Sequence, residues 1–428
     1  MSEQAASPRR PVDDVSVQTS LEQGLPKDEE KHDEKQDPPP KEGTLKAYLA
    51  LLAGFLGLFV SFGWVNCVAL FQAEYEANQL KNYSSSEISW IPSIEFFLLL
   101  FLSPVSGYLF DNFGPRLPVF IGGLLQVFGL MMTSLSSKYY QIMLSQSIVA
   151  GIGPSLLFNP CITAPMTYFR RARALAGGVT VAGSSVGGVV FPLMVNHLLP
   201  KIGFAWTMRV CAFLVLGLWV IVVATISSNI PHKRRQFNFR NVTGNVYDYG
   251  SESRSHNERV EVGHHMSVSP LRCVLTSRQY SFLGRTIPNM LADKYGRFNI
   301  LIVMLVLTNV VLLAVWLPGK SNAAIIVFAA LFGVGSGACI GLAPVLIMNL
   351  TPSHSDVGFR MGAALAVGGI AALTSPPIGG AISARSGGTY DNAFIFAAAN
   401  GFVATAVLII LRGRAVGWSL FAKEGAKK

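Results

Sequence analysis

The sequence predicts an all-α membrane protein built of two repeated helical bundles, on three observations. Of 428 residues, 51% are hydrophobic and only 14% charged, against about 25% charged in soluble domains. Apolar runs recur at or above the ~20 residues that a hydrocarbon core requires of a helix. A polar turn holding an aspartate, a glycine and an arginine occurs twice, and a Gly-x-Gly span follows each copy at the same distance.

The chain opens with residues 1–43, rich in Asp, Glu, Lys and Pro. Such a segment cannot bury a core and reads as a disordered acidic cytoplasmic tail rather than a docking site. No cleavable signal peptide is visible. Apolar runs follow at 46–71, 88–110, 117–135, 140–166, 174–199 and 206–228, then at 299–317, 323–349, 358–382 and 391–412. They make about ten spans. The implied domains are a six-helix bundle over 44–228, a cytoplasmic linker over 229–280, a second bundle over 281–414 and a short tail over 415–428.

Loop charge sets the orientation. Arg116, the Arg170–Arg173 cluster, the His232–Arg235 cluster, Lys294 with Arg297, and Arg360 fall on one side. Both termini are therefore expected in the cytoplasm, in the plasma or the vacuolar membrane. The formal charge of +10 follows this loop pattern rather than a basic groove, so no nucleic-acid partner is expected. The partners implied are lipid and a small solute, with a monomer as the default. Asn82-Tyr-Ser84 is an outer-side glycosylation sequon close to the bilayer, a tripeptide that is common by chance. The five cysteines read as free thiols. No nucleophile elbow, phosphate loop, nucleotide fingerprint or zinc pair is present, so no enzyme activity, cofactor, metal site or catalytic residue is expected. His264-His265 has no further ligand at useful spacing.

The repeat is regular. Gly153 lies 42 residues after Asp111, and Gly335 lies 42 after Asp293. Two spans precede Asp111, whereas residues 231–280 are mostly polar. The expectation is that the seventh helix and most of the eighth are missing, through a skipped segment joining near Tyr280 and Ser281.

The turn Gly107-Tyr-Leu109-Phe-Asp111-Asn-Phe-Gly114-Pro-Arg116 resembles the signature loop of the major facilitator superfamily. Within it, Ser61–Gln72, Ile88–Glu95, Tyr168–Gly177 with Ala182-Gly-Ser-Ser, Gly284–Pro288 and Leu291–Asn299 resemble the fungal branch of the monocarboxylate transporter family. The likeness covers about residues 45–420 and implies a secondary transporter of a small organic solute, a monocarboxylate or related anion, working by alternating access as a symporter. The alternatives are a non-transporting truncated product, or a membrane-embedded sensor or regulatory subunit.

The resemblance implies gating roles for Asp111 and Asp293, as carboxylates facing an arginine across the seam between bundles. Gly107, Gly114, Arg116, Arg173, Gly296 and Arg297 complete the gate. The plain reading is that these are turn and topology residues. Asn289 stands where the first copy has Gly107, which puts close helix approach there in question. Arg170, Arg171 and Arg173 also suit anchoring at the headgroups.

For substrate, the resemblance points to Arg285, whose planar fork suits a carboxylate. A loop cation reaching water is the alternative. The family's coupling aspartate and lysine are replaced by Ser281 and by Val65 or Asn66. Glu95, an acid inside an apolar run, is a candidate proton carrier or solute contact, or a hydrogen-bonded interface residue. Trp64 and Asn66 are candidate cavity residues, with aromatic packing as the other role for Trp64.

Overall fold

In the computed structural model, the described residues are 43–67, 71–72, 74–230, 232, 270–316, 321–351, 356–386, 391–415 and 417. The expected acidic tail, residues 233–269 and most of the last tail lie outside them.

Helix α1 (Leu45–Val60) continues through a short α2 (Phe62–Val65). A π-turn, Tyr75–Gln79, follows. Helix α3 (Ser85–Phe101) starts on a capping box. Ser84 Oγ accepts from the Glu87 amide, and the Glu87 carboxylate accepts from the Ser84 amide. Those two bonds satisfy donors that a helix start otherwise leaves open. Helix α4 (Ser103–Phe113) completes the second span after a break at Leu102, with Pro104 in its first turn where the missing N–H does no harm. Then come α5 (Arg116–Thr133) and α6 (Tyr139–Ile142), which runs through π-helical Met143–Val149 into α7 (Ala150–Met166).

Helix α8 (Arg173–Thr225) is 53 residues long. At about 1.5 Å per residue it would be far longer than a bilayer is thick. Gly203, at φ 74°, breaks it into two crossings. Helices α9 (Pro270–Tyr295), α10 (Arg297–Val311, extended by π-helical Leu312–Trp316), α11 (Asn322–Leu350), α12 (Val357–Arg385) and α13 (Asp391–Ala415) follow. Nine helices among the described residues are long and apolar enough to span a membrane, α8 counted once. Large apolar side chains such as Leu124, Phe128, Val220 and Val303 stay exposed on their outer faces, as lipid contact allows.

Helix α9 corrects one expectation. The eighth helix is not cut near Ser281; it begins at Pro270 and runs 26 residues, inside the stretch assigned to a linker. Its first turns are too polar to register as a span. From Ser277 onward the helix packs closely on α11, where Gly333, Gly337 and Gly341 form a small-residue row. A methyl on Gly333 would overlap the Ser277 carbonyl oxygen, one on Gly337 would lie 2.6 Å from the Ser281 carbonyl oxygen, and one on Gly341 would lie 2.5 Å from Asn289 Nδ2. Rows of this kind let membrane helices meet at backbone distance.

The internal repeat has a direct structural counterpart. A methyl on Gly153 would lie 2.6 Å from the Gln126 amide of α5, and one on Gly335 would overlap the Thr308 hydroxyl of α10. Gln126 and Thr308 each lie 15 residues after the aspartate of their own half. Helix α12 packs on α3 and α4, while α9 packs on α8 and α11. The seams between the two halves are therefore α3 and α4 against α12, and α9 against the first part of α8.

Candidate functional site

The charged turns meet helix ends. Asp111 closes α4, and Gly114 beyond it takes φ 81°, the left-handed turn that glycine permits. The Asp111 carboxylate accepts from the Gly358 amide at 2.9 Å and the Phe359 amide at 2.8 Å, in the first turn of α12. Asp293 at the end of α9, followed by Gly296 at φ 96°, does the same. It accepts from the Ala174 amide at 3.1 Å and the Leu175 amide at 2.9 Å, in the first turn of α8. The sequence suggested arginines across the seam as partners; at both seams the structure places open N–H groups of a helix N-terminus there. Those groups and the helix dipole favour a carboxylate. Arg297 pairs with Asp293 at 3.1 Å on its own side of the seam. Arg173 crosses the seam to Asn349 Oδ1 at 3.0 Å, and Arg116 Nε reaches the Ile226 carbonyl at 3.5 Å.

Both carboxylates grip across the seams at once, so backbone hydrogen bonds join the two halves at this end. Gly107 is what lets α4 lie against α12, since a methyl there would overlap the Gly358 carbonyl oxygen. At the other seam the doubt raised by Asn289 is resolved by a glycine on the facing helix. A methyl on Gly178 would overlap the Arg285 carbonyl oxygen, just as one on Gly362 would overlap that of Ser103.

A buried asparagine adds to the first seam. Asn159 of α7 donates through Nδ2 to the Ser103 carbonyl at 3.0 Å and the Gly358 carbonyl at 2.9 Å. The peptide groups at Gly358 are thus held at both N–H and C=O by the first half. His232 packs over the same turn, with Nδ1 donating to the Asp111 carbonyl at 3.2 Å. Burial pushes its imidazole below the ordinary value, against a smaller opposing pull from the Asp111 and Phe110 carbonyls.

Replacing Asp111 or Asp293 by Asn removes the charge but keeps one acceptor oxygen. Charge at a helix N-terminus contributes about 0.3–2 kcal/mol, so either variant is expected to shift the closed–open balance roughly 2- to 30-fold towards open. Maleimide labelling of a cysteine at position 103, buried at the seam, reads this out. Unchanged labelling in both variants would rule out the carboxylates as latches.

Arg285 lies on α9, at the other seam, against α8; it is 0% exposed and within a helix rather than on a loop reaching water. Its Nη1 donates to the Val181 carbonyl of α8 at 2.9 Å and to Ser184 Oγ. Nε and Nη2 are buried and make no hydrogen bond among the described residues. Those two atoms form the side-on fork of a guanidinium, the edge that receives a carboxylate with two parallel bonds. One turn earlier, Ser281 is nearly buried against Gly337.

Asn66 donates to the Phe62 carbonyl at 2.7 Å, and its amide lies beside Gly188, where the Arg278 side chain also arrives. Trp64 is fully buried between Phe71 and Phe191, at 5.5 Å from each ring, and its indole Nε1 makes no hydrogen bond among the described residues. Glu95 is fully buried elsewhere, on α3 beside Gln146. The structure therefore groups Asn66, Arg278 and Arg285 along the α8 face and separates Glu95 from them by element. The sequence reading did not single out Ser184, Asn159, Gln146 or Tyr75. For the first three, polar residues inside the apolar runs at 140–166 and 174–199 were the available signal; Tyr75 lies between runs and carried none. Among the described residues no cluster of His, Cys, Asp or Glu could hold a metal ion, and Cys67, Cys161, Cys211 and Cys339 are free.

The sequence matches the Major Facilitator Superfamily model over residues 51–279 and 280–427. The MFS-type transporter opdF of Penicillium oxalicum is 50% identical, over 95% of this chain and 99% of its own length. MFS-type transporter 1 of an Ophiocordyceps species is 38% identical, over 92% of this chain and 93% of its own. The aspyridones efflux protein apdF of Emericella nidulans is 34% identical, over 82% of this chain and 74% of its own. The opdF alignment is 421 positions long and uses 95% of this chain, which leaves no room in that relative for two extra spans of ~20 residues each. A skipped segment therefore has no support. Among solved structures, that of the human organic anion transporter MFSD10 superposes with a TM-score of 0.63 at 13% identity, over 87% of this chain and all of that one. The family is one of transporters rather than enzymes, and this chain belongs to the major facilitator superfamily.

Proposed function

We propose that the protein exports an acidic organic solute of secondary-metabolite type by alternating access, with Arg285 as the solute's anion contact. The observation that carries the acidic solute is the unfilled Nε/Nη2 fork of Arg285, buried at a seam between the halves. A buried guanidinium with most of its donors open is costly unless an anion completes it. Export rests on relatives named for efflux, of aspyridones, fujikurins and agnestins. The narrower expectation of a short monocarboxylate, and of symport, has no such relative behind it.

In this reading the bundles at 44–228 and 281–414 rock about the solute, with Asp111, Asp293, Gly107, Gly114, Arg116, Arg173, Gly296 and Arg297 at the cytoplasmic gate. Asn66 borders the solute path. Both termini face the cytoplasm, and the plasma or vacuolar membrane holds the chain. A non-transporting truncated product is disfavoured by the continuous α9.

The test uses inside-out vesicles carrying the full chain, supplied either with the metabolites for which those three relatives are named or with labelled lactate. Saturable uptake of at least one metabolite, and none of lactate, is expected. Uptake of lactate alone, or of nothing, would overturn the reading.

A further inference from the structure

Tyr75, Gln146 and Glu95 form a chain of hydrogen bonds inside the first half, and none is more than 1% exposed. Gln146 Nε2 donates to Glu95 Oε2 at 3.4 Å, and the Tyr75 hydroxyl donates to Gln146 Oε1. Glu95 is the one fully buried carboxyl side chain among the described residues. Tyr75 and Gln146 both sit in π-helical turns, Tyr75–Gln79 and Met143–Val149. Such turns are rare and concentrate at functional sites. Pro92, one turn before Glu95, removes a backbone donor from α3.

The order of donors in this chain is reversible. A carboxamide keeps its shape when its oxygen and nitrogen exchange places. With a carboxylate at position 95, the amide must offer N–H to it and take the tyrosine hydroxyl on its oxygen. With a carboxylic acid there, the acid O–H donates to the amide oxygen. The turned amide then donates N–H to the phenol oxygen, which accepts as readily as it donates. Tyr75, Gln146 and Glu95 Oε2 each keep a partner in both arrangements, so the exchange itself orphans no buried polar atom.

The titratable groups around Glu95 belong to few elements. The π-turn supplies Tyr75, with Glu74 behind it; the end of α2 supplies Cys67, with Cys211 of α8 next to Cys67. Helix α7 offers Gly151 against the Glu95 backbone, and α12 meets α3 further along, through Gly369 at Leu100 and Phe101. Ordinary thiols and phenols are neutral near pH 7.

We propose that Glu95 is a reversible proton site of the transport cycle, and that Gln146 turns its amide to match each protonation state, with Tyr75 as the far end of the switch. Only an O–H bond forms or breaks, and the proton is exchanged with water. A secondary transporter runs on a solute or an ion gradient, and this chain of groups accommodates a proton without losing a hydrogen bond. The proposal does not depend on which solute is carried.

pH-difference infrared spectroscopy on the full chain in liposomes tests it without a solute. A protonated-carboxyl band is expected to rise and fall reversibly with pH and to be absent in E95Q. In Q146L the carboxylate loses its N–H donor, so the half-point should move about one to two pH units alkaline. In wild type carrying ring-deuterated tyrosine, a tyrosine band should change with the same half-point, because Tyr75 switches from donor to acceptor. That readout stands even if E95Q fails to fold. A carboxyl band that persists in E95Q, a half-point unmoved in Q146L, or tyrosine bands unchanged across the carboxyl transition would each overturn the proposal.

Discussion

Valine at position 107 is expected to abolish transport while the chain still reaches the membrane. The site on α4 has no space for a side chain: even a methyl would overlap the Gly358 carbonyl oxygen and lie 2.7 Å from the Phe359 amide nitrogen. Those atoms are backbone, so no side-chain rotation relieves the clash. Overpacking a core costs about 1–3 kcal/mol where neighbours can shift, and here they cannot shift without parting α4 from α12. A destabilisation of about 3 kcal/mol lowers the closed-to-open ratio more than 100-fold. The predicted consequences are a molecule held open at this seam, strong maleimide labelling of a cysteine at position 103, and no net flux. Alanine should behave the same way to a smaller degree. Asn289→Gly at the equivalent place in the second half should be far milder, because there Gly178 makes the close approach. Full activity in Gly107→Val would mean that this crossing never has to close.

Arg285→Gln is expected to lower transport of an acidic solute about 100-fold or more, the range seen when one member of a buried charge pair is removed. Arg285→Lys keeps the charge but loses the fork, so it should fall between the two, with the loss in apparent affinity. Removing Arg285 also removes its bonds to Val181 and Ser184 on α8, and Ser184→Ala separates these effects. That variant loses one seam contact but leaves the open Nε/Nη2 edge, so it should shift the closed–open balance while sparing solute affinity. Uptake into inside-out vesicles, with the protein amount normalised, measures all three. Unchanged uptake in a folded Arg285→Gln protein would remove this arginine from the solute path.

These two expectations rest on features of unequal legibility. Gly107 and the turn glycines could be read from the sequence, because a glycine beside a charged turn at a membrane edge has few other uses, and the positive φ of Gly114 and Gly296 agrees. Apolar run length located nearly every span. It missed the start of α9 because Pro270 to Tyr280 is too polar for a run-length criterion, and the close packing of α9 on the glycine row of α11 begins only at Ser277. The partners of Asp111 and Asp293 were illegible for a different reason. Backbone amides carry no residue code, so sequence reasoning looked for arginines where helix ends were waiting. The burial of Arg285 was hidden too, since it depends on α8 crossing α9 at Gly178.

The two carboxylate grips have a consequence for inheritance. A salt bridge between side chains can be broken by one substitution and mended by a compensating one opposite. Where an aspartate holds main-chain amides, as Asp111 holds Gly358 and Phe359, the partner is written into no codon. Reversing the charge at position 111 therefore leaves no second site at which a matching reversal restores those two bonds. A lineage that loses either aspartate can recover that grip only by restoring an acceptor on the same side of the seam.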